Sequence, residues 1–432
     1  MQNFILNFIN DLKSPVPIIS ISLFRLFFAS ILLIQNYYFI VGEFIEKNII
    51  KPFILFPFIN GISPVSKTYL VVISYIMIIA NIGMFFNKIS RFSVLIFMLC
   101  FTYFWLIDKG YFNNHYYFMS LICFLLFITE KKASFSENVN IPKISIFTLQ
   151  VMVFIVYFIA GINKINPYWL FDLQPIQHIL EVKSEMTNNM FFKKPILVKS
   201  LAYTGLIFDL SVGFLLFYHR TRLFAFIMIL LFHLTNYWVF KDVGEIGLFP
   251  FFMISTIILF IDPHYLNKLF KLNNKPPNKI NNSLFLNKFI VCFLLIQLLI
   301  PFRHVFFKGN VDYNGIGQRF SWRMKIMYKD SSFQYFITDN SSGKKYAVDA
   351  TKMLTNKQYN NLLYYPDLIV PLAKKIQLEA SENFGIKSAK ITCEYKTKFM
   401  GKNEQLLFSP ELDLTKIKDG FLNQDWLYDL KK

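Results

Sequence analysis

Cysteine is scarce, with four in 432 residues. Cys100, Cys123 and Cys292 fall in apolar runs and Cys393 stands alone in the tail, which excludes a disulfide framework or a zinc-ribbon spacing. Charged residues make up only 17% of the chain, and acids are the rarer sign, 27 against 45 Lys and Arg. The resulting net charge of +18 reads as charge that sets membrane topology, so no nucleic-acid partner is expected. The six histidines include no His-x-x-x-His or Glu-x-x-His pair, and no metal is expected. There is no internal repeat, and the one biased segment is an Asn/Lys-rich linker at 272–282. The first residues lack a basic n-region and run into a full-length apolar stretch, so a cleavable signal is not expected.

What the chain has instead is apolar surface. It is 54% hydrophobic and 19% aromatic, with 52 Phe, and several runs reach the roughly 20 residues needed to cross a bilayer. The expected fold is an α-helical multi-span membrane protein of about nine transmembrane helices, with a small, mostly β extramembrane C-terminal domain. The spans are placed near 18–40, 67–86, 91–107, 113–129, 144–163, 197–217, 222–240, 245–262 and 285–302. The division is therefore 1–302 for the membrane part and 303–432 for the outer domain. Basic turns such as Lys88 to Arg91, Lys131-Lys132 and Arg220 to Arg222 fall on one face. They put the N-terminus in the cytoplasm and the tail outside it. In the tail, Lys325 to Tyr328, Gln334 to Ile337, Lys345 to Val348, Lys390 to Tyr395 and Gln405 to Phe408 read as strands, and 356–383 as helix. The turn Asp339 to Gly343 reads as a hairpin connection.

The polar residues inside this apolar background are few enough to follow individually. The stretch Tyr157 to Trp169, YFIAGINKINPYW, ends a span on one cation, Lys164, before Asn166-Pro167 stops the helix. Such a lysine is either an anchor snorkelling to the headgroups or an amine kept neutral in a half-dry site and able to act as a base. His115, beside Asn113 and Asn114, opens the fourth span, His233 lies in the seventh with Asn236 beyond it, and His304 closes the ninth. The topology puts Lys164 and these three histidines at one level, the outer face. Intramembrane polar groups are costly and commonly face a cavity, so their convergence suggests a site for a lipid-soluble ligand. No Asp or Glu partner is expected at that depth.

The same segments carry a resemblance. YFIAGINKINPYW, FNNHYYF (112–118), FHLTNYWVF (232–240) with IGLFPFFM after it, and PFRHVFFKGN (301–310) followed by RFSWRM (319–324) occur in order. In these the chain resembles the vitamin K-dependent γ-glutamyl carboxylases and their bacterial relatives, whose membrane part is the HTTM domain. The resemblance implies a carboxy-lyase of a bacterial inner membrane that oxygenates a reduced vitamin K, a menaquinol-type quinol, to its epoxide. The strong base so formed would carboxylate a Glu-containing protein or peptide, with O₂ and CO₂ as co-substrates. It implies Lys164 and His115 as catalytic groups, and Asn114, His233, Asn236, His304 and Trp322 as quinone or substrate contacts. Two other readings stay open: a quinol oxygenase that carboxylates nothing, and a non-enzymatic quinone- or lipid-binding module.

Overall fold

The computed structural model describes residues 2–59, 61–129, 139–243, 246–272, 283–418 and 425–431. The linker at 273–282 and the basic residues Lys131, Lys132, Lys275 and Lys279 lie outside them. The chain divides into two units. One comprises Met1–Gly42, Thr68–Tyr103 and His115–Ile300; the other comprises Glu43–Lys67, Phe104–Asn114 and Pro301–Lys432.

The first unit is helical. Its elements are α1 (Gln2–Leu12), α2 (Ile19–Val41), α3 (Lys67–Gly83), α4 (Ser90–Leu106), α5 (Asn114–Thr129), α6 (Lys143–Asn163), α7 (Pro167–Leu170) and α8 (Ile176–Thr187). There follow α9 (Pro195–Phe217), α10 (Arg222–Phe240), α11 (Phe249–Ser255), α12 (Pro263–Leu269) and α13 (Leu284–Leu299). A two-stranded ribbon, β1 (Pro15–Pro17) on β2 (Asn140–Pro142), ties the start of α2 to the start of α6. The ion pair Asp11–Lys143, at 2.6 Å, lies beside it.

Among the described residues, five helices are long and apolar enough to cross a membrane: α2, α6, α9, α10 and α13 extended to Phe306. A sixth span exists only if α11 and α12, bent by 92° at their junction, count as one. The expectation of about nine full spans is not confirmed by length. The helices α3, α4 and α5 have 17, 17 and 16 residues. At 1.5 Å per residue they reach only about 24–26 Å, short of a ~30 Å hydrocarbon core. The outer surfaces still require lipid. Leu284, Phe285, Leu295 and Leu299 of α13 and Leu223, Phe224, Leu231 and Leu234 of α10 are exposed apolar side chains in rows no water-facing helix tolerates.

Two glycines let α6 and α9 approach closely. A Cβ on Gly161 would sit 2.8 Å from the backbone N of Leu210, and one on Gly213 would sit 2.4 Å from the ring of Phe154. Small residues at helix contacts in membranes serve this purpose, since lipid supplies no hydrophobic drive for association.

The second unit is α+β rather than mostly β. Its elements are α14 (Val311–Asn314), β3 (Lys329–Asp339), β4 (Lys345–Val348), α15 (Asn356–Tyr364), α16 (Ile369–Phe384), β5 (Ala389–Phe399) and β6 (Glu404–Leu406). The sheet is antiparallel in the order β4-β3-β5-β6, with Lys329 opposite Phe399 and Asp339 opposite Ala389. Tyr335 and Tyr395 hydroxyls donate to the carbonyls of Ile369 (3.0 Å) and Leu363 (2.7 Å), fixing the two helices on the sheet. The hairpin of β3 and β4 forms as expected, while Lys325 to Tyr328 precede the strand rather than belong to it. The single helix expected at 356–383 is broken because Pro366 forces Tyr365 into extended geometry.

Candidate functional site in the helical unit

The site builds outward from the end of α6. Lys164 is its C-cap. Asn166 then caps α7, its side chain accepting from the Trp169 N–H at 3.0 Å, with Pro167 at the first helical position. That turn fixes the Trp169 ring, whose Nε1 donates to the Ala202 carbonyl of α9 at 3.0 Å. Lys164 does not snorkel. Its side chain is 9% exposed and makes an ion pair with Asp209 of α9, whose side chain is 6% exposed. The ammonium also lies 3.4 Å from the Gly205 carbonyl, 5.1 Å from the centre of the Trp169 ring and 5.8 Å from that of Phe232.

Asp209 corrects the expectation that no acidic partner exists at this depth. The signal was present, an acid inside the apolar run 197–217. What the sequence does not show is the register that brings position 209 to position 164. That register depends on Gly161, three residues before the lysine, lying against Leu210.

Two histidines belong to the same unit. His233 of α10 is buried, and its Nε2 is 2.8 Å from the Tyr157 hydroxyl of α6. Tyr157 packs edge-on against Phe208, which stacks on Phe232 at 4.0 Å, the ring beside Lys164. His115, the second residue of α5, stacks flat on Phe249, with centroids 3.8 Å apart and planes 4° from parallel. Phe249 also meets the His233 ring edge-on at 6.3 Å. An aromatic path therefore joins Lys164, His233 and His115 through α6, α9, α10, α11 and α5. Asn236 is half-buried on α10, three residues past His233.

The remaining expected residues belong to the second unit. Asn114 ends its 104–114 segment, and its Oδ1 is buried without a hydrogen-bond partner. His304 has both ring nitrogens engaged. Nδ1 lies 2.9 Å from the Pro301 carbonyl, which can only accept, so Nδ1 carries the proton and Nε2 accepts from Arg323 at 3.3 Å. Arg323 in turn pairs with buried Asp312 at 2.7 Å. Trp322 is fully buried with φ of 55°, between Phe320 (φ 62°) and Lys325 (φ 51°). Bulky residues rarely take this left-handed conformation, so RFSWRM is a segment held in shape by its surroundings. Gly317 lets it pass His304, since a Cβ there would meet the His304 Cβ at 2.9 Å.

Charge inside this second unit is paired but expensive. Asp108 accepts from the Gly110 N–H at 2.7 Å and from Gln358 at 2.6 Å, and burial still pushes its carboxyl up to about 6. Burial draws the Lys329 ammonium down to about 7, with Asp312 opposing the shift. Arg319 forks onto Asp367, donates to the Lys109 carbonyl at 2.9 Å and lies 4.4 Å over the Tyr365 ring.

Among the described residues, no group of three or more His, Cys, Asp or Glu is placed to hold a metal ion. Residues 13–265 match the HTTM domain, and residues 282–432 match the lumenal domain of vitamin K-dependent gamma-carboxylase. No solved structure matches the chain.

Proposed function

The chain belongs to the vitamin K-dependent gamma-carboxylase family, and from that premise we propose a membrane enzyme that oxygenates a reduced quinone to its epoxide and carboxylates glutamate side chains. The observation that carries the reading is a single amine, Lys164, buried beside one acid and two aromatic faces at the end of a membrane-crossing helix.

The residues present fit a reduced quinone. Trp169, Phe232 and Phe208 supply flat apolar surface suited to a naphthalene ring. When bound, the reduced quinone supplies with O₂ a base strong enough to take a glutamate γ-proton, and CO₂ traps the carbanion. Lys164 accepts the hydroxyl proton that starts this chemistry. The Tyr157 hydrogen bond fixes the His233 ring, and stacking on Phe249 fixes that of His115, so each nitrogen meets a ligand oxygen without reorganising. Asn236 adds a further polar contact beside His233. His304 and Trp322 act by holding the second unit in shape. The closed apolar surroundings keep water from quenching the base. We place the N-terminus in the cytoplasm and the second unit on the outer face, and take no metal to be involved.

The test is Lys164→Arg. An anchor needs only a charge on a long stem, whereas a base must shed its proton, which guanidinium does not do. The expected result is an inserted protein that binds quinone but neither forms epoxide from vitamin K hydroquinone under O₂ nor fixes labelled bicarbonate into a Glu-containing peptide. Lys164→Ala should regain quinol oxidation with a small added amine, more so at higher pH. An active Lys164→Arg protein defeats the assignment. Wild-type epoxide without label would make the chain a quinol oxygenase.

A further inference from the structure

We propose that Asp209 stores the proton of Lys164, so that the lysine becomes a base when an apolar ring dries the pair. The inference rests on the reading of Lys164 as the base and adds how that base is armed.

The pair as a whole is neutral, and its one shared proton has two homes. On Nζ it gives ammonium and carboxylate; on Oδ2 it gives amine and carboxylic acid. Both forms hold the same number of protons, so the exchange needs none from bulk water. The N–H bond breaks and the O–H bond forms along the hydrogen bond already present. Solvation decides between them. Water favours two ions, whereas a dry, weakly polar site penalises each ion separately and favours the neutral form. The Gly205 carbonyl and the faces of Trp169 and Phe232 favour the ammonium, so the pair rests as ions while its residual exposure, 9% and 6%, is left uncovered. A flat apolar ligand that covers this remainder removes the support for the ions. The freed amine then takes a proton from the ligand hydroxyl, leaving an oxyanion beside the new ammonium.

Neither side chain makes another ion pair among the described residues. The other titratable groups on α6, α9 and α10 are Lys143, Tyr157, Lys199, Tyr203, Arg222, His233 and Tyr237; Tyr157 and His233 are bonded to each other, and the Tyr203 hydroxyl donates to the Leu170 carbonyl. Asp209 is thus a positioning residue that acts through Lys164. The arrangement arms the base only when its substrate is seated, which spares an isolated amine from reacting with other acids.

The experiment is infrared difference spectroscopy on the full-length protein in nanodiscs, with oxidised menaquinone as the unreactive probe and binding followed by tryptophan quenching. The expected result is a carboxylic-acid carbonyl band that appears on binding and is absent from Asp209→Asn and Lys164→Met. Binding without that band overturns the proposal and leaves the quinone reading intact; failure of wild type to bind menaquinone overturns both. The pH profile is the second readout. Wild-type quinol oxidation should be nearly flat across neutral pH, with Asp209→Glu resembling it. In Asp209→Asn the proton must leave to water, and the rate should rise about tenfold per pH unit. A parallel profile in Asp209→Asn overturns the proposal.

Discussion

His115 and His233 differ in how their rings are fixed, and the difference sets what each substitution should cost. His115 is held by stacking on Phe249, so His115→Ala removes the ring and that stacked contact. Loss of one preorganised contact is worth on the order of 2–4 kcal/mol of barrier. Turnover should therefore collapse while the detergent-solubilised protein keeps its thermal transition; full activity would return His115 to a packing role. Tyr157→Phe leaves a His233 nitrogen unpaired in a buried place, and should cost about 1–3 kcal/mol of stability as well as activity. At this scale the sequence was legible where polarity stood against an apolar background, as at Lys164, His115 and His233. His304 and Trp322 belong to the second unit, where His304 accepts from Arg323 and Trp322 is fully buried. Asp209 stood out as much as Lys164 did, but its meaning depends on a contact across 45 residues.

The contact between α6 and α9 is where element geometry reaches the chemistry. Gly161→Ala places a Cβ 2.8 Å from the Leu210 backbone N, which no side-chain rotation relieves. Overpacking of this kind costs typically about 1–3 kcal/mol, and the helices must part. The expected outcome is a lowered thermal transition and loss of quinol oxidation that Leu210→Ala does not restore. Gly205→Ala is the control, since its Cβ would meet ring atoms only at 3.8 and 4.0 Å, ordinary contact. A Gly161→Ala protein as active as Gly205→Ala would show that the close approach is dispensable. Apolar length gave the helix positions well, because a run of aromatics and branched residues bounded by Asn, Pro or Lys has little choice. It does not by itself establish spanning for α3 to α5, which are helical over the expected stretches but have only 17, 17 and 16 residues. The bend before Pro263 likewise leaves no periodic trace in so uniformly apolar a run.

At the scale of the whole molecule, the second unit draws on three separate stretches of chain. Its interior makes it pH-sensitive in a defined sense. Asp108 titrates near 6 in the fold against 3.8 ordinarily, so between those values the folded form holds the extra proton. Stability should fall by up to about 3 kcal/mol as pH rises through 6. Lys329, near 7 against 10.5, works the other way: stability is fullest above 10.5 and is lost as pH falls through 7. Thermal denaturation of the full chain should show both slopes, with Asp108→Asn removing the acid one and Lys329→Met the alkaline one. Slopes unchanged in these variants would assign the pH dependence elsewhere. The side chain of Gln358 has a different consequence. It closes the capping box of α15 with Thr355 while donating to the Ile54 carbonyl at 2.8 Å and to Asp108 at 2.6 Å, and Asn361 donates to the Gly110 carbonyl at 2.8 Å. These partners leave the ribosome some 250 to 300 residues earlier. The early loops must wait through most of synthesis for the groups that complete them. Assembly of this unit is therefore one of the last events in the life of the nascent chain, and a ribosome stalled before α15 would leave loops 43–67 and 104–114 open to protease.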